Sequence, residues 1–190
     1  MKRRAFVTGL GAVLVAPLGA EAQQEGKVWR IGYLSYGAPA ESANRVEALR
    51  MGLRDRGYVE GKNINFVFRW GETAEQLPEQ AAELVRSKVD IIIAPSSTEV
   101  EAVRPATSVI PIVFANHADP VGTGHVASLA RPGGNITGLS VLMTELVTKQ
   151  LEIMKQTLRR LKRVGVLAVS TAPSTRDASV TVWLSITVLA

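Results

Sequence analysis

Short apolar runs alternate with segments of helical periodicity along most of this 190-residue chain. The clearest run is DIIIA at residues 90–94, which is almost continuously apolar, as a central parallel strand should be. The segments between the runs repeat apolar side chains every three or four positions, as amphipathic helices do. This alternation predicts an α/β fold with a doubly wound parallel sheet and right-handed crossovers. We predict strands at residues 30–34, 63–70, 90–94, 110–115, 135–140 and 164–169, and helices at 41–56, 77–88 and 147–158.

Local signals mark where several elements begin and end. The patterns at residues 73–76 and 96–99 predict capping boxes, in which two side chains satisfy backbone N–H groups at a helix start. Pro105 should kink or end the helix that the second box opens. A further helix is expected around residues 126–129, and we place a domain boundary near 133–134.

The N-terminus has the pattern of an export signal. Lys2, Arg3 and Arg4 precede an uncharged apolar stretch at 5–18, and AEA at residues 20–22 fits a signal-peptidase site. A stretch of this length is too short for a transmembrane helix, which needs about 20 residues. We therefore predict a signal peptide at 1–22, cleavage after Ala22, and a mature chain in the periplasm without stable membrane insertion. The RRAFV motif also resembles the twin-arginine signal, so either export route remains open.

Charge and cysteine content exclude several classes of function. The net charge is +5, and the predicted signal peptide contributes part of it. Basic residues do not cluster with aromatic ones, so we expect no nucleic-acid partner. The chain has no cysteine, which excludes disulfides, thiolate metal sites and a cysteine nucleophile.

Catalytic patterns are nearly absent. We find no phosphate-binding glycine loop and no nucleophile elbow, so we predict no catalytic residue, metal or cofactor. The two histidines, His117 and His125, keep an alternative open, that of an exported α/β hydrolase or oxidoreductase using one of them as its base. Glu99 and Glu101 are expected to lie on a solvated helix surface.

Polar side chains follow three of the predicted strands. Ligands of open parallel sheets gather at the carboxyl ends of the strands. A helix N-terminus near Ser97 offers N–H groups to a ligand carboxylate, and Asp119 could face a ligand ammonium group. The same residue types also cap helices and form turns, so contact with a small polar ligand and purely local roles both remain open. The candidate ligand-binding residues are Ser35, Tyr36, Ser96, Ser97, Thr98, Asn116, His117 and Asp119.

Several stretches carry a family pattern: LRDRGYVEGKN at 53–63, IPIVF at 110–114, DPV at 119–121 and SLARPGGNITG at 128–138. Together with the predicted strands, they resemble the periplasmic substrate-binding proteins of ABC transporters, in the tryptophan/tyrosine-type uptake subgroup. The resemblance implies two Rossmann-like lobes of the type I periplasmic-binding-protein architecture that close on a small-molecule ligand. It also implies an ABC permease and an ATPase as partners, and no chemistry on the ligand.

The resemblance also suggests how the chain is divided. Residues 28–132 would form the first ligand-binding lobe and 135–175 the beginning of a second, with the crossover near 138–140. Beyond residue 173 the resemblance stops, and we expect 176–190 to be a divergent, non-native tail of a C-terminally truncated member. Such a chain should bind ligand weakly or not at all.

Overall fold

Strands and helices alternate along the described part of the chain, residues 27–141, 143–158 and 163–164 of a computed structural model. Two single 3-10 turns, Ala74–Gln76 and Arg104–Ala106, lie beside the second and third helices. The strands and helices are β1 (Trp29–Tyr36), α1 (Pro39–Arg54), β2 (Ile64–Gly71), α2 (Leu77–Arg86), β3 (Ile91–Ile93), α3 (Ser97–Val103), β4 (Ile112–His117), β5 (Ile136–Ser140) and α4 (Met143–Thr157).

The five strands form one sheet in the order β2-β1-β3-β4-β5, and all of its pairings are parallel. Helices cover both faces, because Trp70 of β2 donates from its indole to Ser42 of α1, whereas its neighbour Arg69 pairs with Glu83 of α2. Successive residues of a strand point to opposite faces, so α1 and α2 lie on opposite sides of the sheet. The predicted doubly wound parallel fold is confirmed.

The main core lies between the sheet and helices α2 and α3. Strand residues Leu34, Ile92 and Phe114 have almost no exposed surface, and Leu84 of α2 and Val100 of α3 close over them. Interiors of this kind supply most of the favourable free energy of folding. The opposite face at β2 has a stack of three half-buried aromatic rings, Phe66, Phe68 and Trp70, with centroids 5.3 and 5.2 Å apart.

Several predicted boundaries are confirmed. Both capping boxes are present, one opening the 3-10 turn before α2 and the other opening α3. The last α-helical residue of α3 is Val103, and Pro105 lies in the 3-10 turn that follows it. Pro105 therefore ends the helix, since proline cannot donate a backbone hydrogen bond. None of the described helices has the length and apolarity required to cross a membrane.

The helix expected around residues 126–129 is wrong. Residues 121–130 form turns and bends, in which Gly124 has a φ of +69° and the Asp119 carboxylate accepts the Gly122 N–H at 2.8 Å. These local interactions stabilise a turn where the apolar spacing alone had indicated a helix.

The sheet extends beyond the boundary predicted near 133–134. Ile136 of β5 pairs with Ile112 of β4, so residues 136–140 complete the first sheet rather than opening another. Strand β4 also ends two residues later than predicted, at His117, and β1 ends at Tyr36 rather than at residue 34. The signal peptide, the tail and all but the first residue of the strand predicted at 164–169 lie outside the described residues.

Candidate functional site

The three polar loops predicted from the sequence meet at the carboxyl edge of the sheet. Ser96, before α3, forms a parallel bridge with Asn116 of β4, and the Asn116 N–H donates to the Pro95 carbonyl at 2.8 Å. At the end of β1, the Tyr36 N–H donates to the Glu99 carboxylate of α3 at 3.0 Å. Hydrogen bonds therefore join the end of β1 to α3, and the end of β4 to the loop between β3 and α3.

Glu99 holds two of these loops together. It is only 4% exposed, and its carboxylate accepts the Tyr36 N–H at 3.0 Å, the Ser96 N–H at 3.1 Å and the Ser96 hydroxyl. The expectation of a solvated surface is wrong for this residue. A buried carboxylate is stable here because charge-assisted hydrogen bonds from three donors replace its lost hydration.

A buried chain of hydrogen bonds runs from β4 to α3. His117 has no exposed surface, and its Nε2 lies 2.7 Å from Nδ1 of His125. The Nε2 of His125 lies 2.8 Å from the carboxylate of Glu101. We call His117, His125 and Glu101 the histidine relay.

The donors around His117 determine the tautomers along the histidine relay. The Asp119 N–H donates to Nδ1 of His117 at 3.2 Å, so that nitrogen is an acceptor and the proton of the neutral ring is on Nε2. His117 therefore donates to Nδ1 of His125, whose own proton is on Nε2 and is donated to Glu101. Each of the four ring nitrogens therefore has a hydrogen-bond partner, and Nδ1 of His117 is shared by two donors, the Asp119 N–H and the Ser97 hydroxyl.

Ser97 joins the histidine relay to the start of α3. Its hydroxyl accepts the Ala118 N–H at 3.2 Å and lies 3.2 Å from Nδ1 of His117, to which it donates. Ser97 is 8% exposed. Its side chain therefore orders the loop that follows β4.

The environment of His117 favours its neutral form. Burial, and next the neighbouring His125, lower the pKa of His117 from 6.5 to about 4, while Asp119 acts in the opposite direction. A base with this pKa accepts protons poorly near pH 7. The lowered pKa therefore argues against His117 as the base for Ser97, although these residue types would suit a hydrolase.

The candidate ligand-binding residues differ in accessibility. Tyr36 is 49% exposed and Asn116 is also exposed. Ser96, Thr98 and Asp119 are half-buried, whereas Ser35, Ser97 and His117 are buried. The Ser35 hydroxyl donates to the Tyr36 carbonyl at 3.3 Å, so it supports the end of β1 from within.

Some functional groups were missed or misjudged from the sequence. The connection between Glu101, His117 and His125 has no sequence signal, because a helix, a strand end and a turn supply one residue each. The capping-box pattern did mark Glu99, and the capping role is consistent with its burial. Within the described ranges, no group of three or more histidine or acidic residues could hold a metal ion.

Comparison with known proteins gives a consistent result. The sequence model of the family "ABC transporter substrate binding protein" matches residues 39–186. A tyrosine-binding protein of Clostridioides difficile (strain R20291) is 35% identical over 116 residues, which are 60% of this chain and 33% of that protein.

Solved structures also resemble this chain. A conserved domain protein from Vibrio cholerae O1 biovar eltor is 32% identical with a TM-score of 0.69, over 77% of this chain and 49% of that one. An ABC domain from Streptococcus pneumonia, solved in complex with L-Trp, is 23% identical with a TM-score of 0.68, over 79% of this chain and 50% of that one. These likenesses support a fold like that of the type I periplasmic binding proteins. The matched part of this chain covers about a third of the curated relative's length.

Proposed function

The chain belongs to the ABC transporter substrate-binding protein family, and on that premise we propose that it captures an amino acid in the periplasm and delivers it to an ABC permease driven by an ATPase. The observation that carries the proposal is the match over residues 39–186, which includes two of the three polar loops at the carboxyl edge of the sheet, those around Ser96 and Asn116. Proteins of this family bind a solute and leave it chemically unchanged.

An aromatic amino acid is the ligand class that this edge suits best. Tyr36 offers a half-exposed ring against which a ligand ring can stack. Asp119 supplies a half-buried carboxylate that can face an ammonium group. The similarity to a tyrosine-binding protein supports the same class, so L-tyrosine and L-tryptophan are the first ligands to test.

The accessible members of the candidate set are assigned to ligand contact. They surround the edge with hydroxyl, amide, carboxylate and aromatic groups, whereas the buried members support the loops from beneath. Contact is assigned to Tyr36, Ser96, Thr98, Asn116 and Asp119, and support to Ser35, Ser97 and His117.

The described sheet supplies one wall of the proposed cleft. In a two-lobed binding protein the ligand lies between walls from both lobes, so a single wall should bind it weakly. Residues 135–175 would include the passage into the second lobe, with β5 completing the first sheet. The mature chain would begin at Gln23 after export, and the intact mass of secreted protein tests that cleavage.

Thermal unfolding tests the proposed function on purified residues 23–190. A ligand that binds only the folded chain raises the melting temperature by mass action. We expect near-saturated L-tyrosine or L-tryptophan to raise it more than D-tyrosine or D-tryptophan at the same concentration. An equal shift for both enantiomers, or no shift for either L-amino acid, would contradict the assignment of the ligand class.

A further inference from the structure

The histidine relay lies directly beneath the loop that we assign to ligand contact. Its inner end, Nδ1 of His117, accepts the Asp119 N–H at 3.2 Å and faces the Ser97 hydroxyl at 3.2 Å. Its outer end is Glu101, whose side chain is 41% exposed on α3. The relay thus connects one surface of α3 to the backbone beside the proposed ligand.

His125 is the middle residue of the histidine relay, and its ring nitrogens do not face the proposed cleft. Its side chain is fully buried, and each nitrogen is hydrogen-bonded, Nδ1 to His117 and Nε2 to Glu101. The Thr123 hydroxyl, which donates to the Asp119 carbonyl at 2.7 Å, also lies 3.2 Å from this Nδ1. Its own backbone N–H donates to the Pro120 carbonyl at 3.0 Å, so the same residue also stabilises the turn after β4. Its interactions thus join three separate parts of the fold.

We propose that His125 is a positioning residue of the cleft, which acts through His117 to hold the Asp119 backbone and the Ser97 hydroxyl in the geometry that binds ligand. The expected effect on ligand affinity rests on the proposed function, whereas the expected effects on the ligand-free chain do not. Without an acceptor at Nδ1 of residue 125, the Nε2–H of His117 would be a buried donor without a partner. Rotation of the His117 ring to find one would remove the acceptor that the Asp119 N–H uses.

Two conservative substitutions separate the two links of His125. In His125→Asn, the amide oxygen lies where Nδ1 was, so the acceptor for His117 is kept and the link to Glu101 is lost. In His125→Gln, the amide nitrogen lies near the place of Nε2, so the donor to Glu101 is kept and the acceptor for His117 is lost. The two variants are close in size and polarity, which makes them matched controls for each other.

Amide hydrogen exchange, followed by NMR in the ligand-free chain, provides the first measurement. We expect His125→Gln to speed exchange of the Asp119 amide by about tenfold, the effect of losing one hydrogen bond, and His125→Asn to leave it near the wild-type rate. Imidazole ¹⁵N spectra provide the second measurement, since the chain has two histidines and each variant contains one. His117 should keep its Nε2–H tautomer in His125→Asn and lose it in His125→Gln.

Affinity for L-tyrosine or L-tryptophan provides the third measurement, and it should fall by about tenfold in His125→Gln only. A core variant, Ile92→Val, controls for lost stability, because Ile92 is fully buried and takes no part in the relay. Equal Asp119 exchange and equal tautomers in both His125 variants would overturn the proposal, as would effects that merely follow the melting temperature. If the wild-type chain binds neither amino acid, the ligand assignment fails, while exchange and tautomer still decide the role of His125.

Discussion

Acidification should unfold this chain partly through one residue, His117. Its pKa in the folded chain is lowered from 6.5 to about 4, chiefly because burial disfavours the charged ring. The unfolded chain therefore binds more protons than the folded chain between these two values. The contribution of His117 to stability is fully present above about pH 6.5 and is lost as the pH falls towards 4.

The size of the effect follows from the shift. Each pKa unit corresponds to about 1.4 kcal/mol, so the change from 6.5 to about 4 gives about 3 kcal/mol of unfolding free energy. The slope cannot exceed about 1.4 kcal/mol per pH unit, since a single proton is taken up. A loss of this size is a large fraction of the unfolding free energy of a whole domain, which is typically about 5–15 kcal/mol.

Urea denaturation at a series of pH values from 7 to 4 measures this loss, with His117→Gln as the reference chain. Glutamine does not titrate, so ionisable groups distant from residue 117 contribute equally to both chains and cancel in the difference. We expect the wild-type chain to lose about 3 kcal/mol more than the variant over this range. If both chains lose the same free energy, the ring is not held neutral by its surroundings and the reasoning fails.

Four further substitutions test the site and the sheet. Asp119→Asn should weaken binding of L-tyrosine about tenfold to a hundredfold in calorimetry at unchanged melting temperature, since the amide still accepts the turn hydrogen bond but has no charge for an ammonium group; unchanged affinity would remove Asp119 from the contact set. Gly138→Ala should cost at least about 2 kcal/mol in denaturation, because its Cβ would lie 2.0 Å from the carbonyl oxygen of the neighbouring strand β4. Gly134→Ala, with open space around its Cβ, should change stability by less than about 0.5 kcal/mol, and equal costs would refute the packing argument. Glu99→Gln should cost about 2 kcal/mol, because its amide group turns a donor towards donors such as the Tyr36 N–H; a neutral result would show that the buried carboxylate is not needed.

The order of elements could be predicted from the sequence because the signals are local. A run such as residues 91–93 is apolar on both faces, which is typical of a strand covered on both sides of a sheet. The box at 96–99 and the effect of Pro105 depend on residues within one or two turns of each other, so they too appear in the structure as predicted. The same locality explains why three polar loops could be expected at one edge, since all parallel strands end there.

The wrong predictions concern contacts that apolar spacing does not report. The spacing around residues 126–129 fits a helix, but the Asp119 carboxylate and the buried ring of His125 hold that segment as a turn. The region near 133–134 was interpreted as a domain boundary, yet pairing of β5 with β4 carries the sheet past it. A glycine-rich stretch indicates a change of direction, and only strand pairing decides whether the next segment rejoins the sheet.

The histidine relay shows most clearly what tertiary structure decided. Glu101, His117 and His125 are separated by 16 and 8 positions, with no periodicity that would join them. Folding brings their polar atoms within 2.8 Å because α3 and the turn after β4 pack on the same side of the carboxyl edge. Residue types and local periodicity thus determined which strands and helices form and where a ligand is proposed to bind. Which side chains face that ligand and which support it from beneath depends on burial, and burial arises only when all the elements pack together.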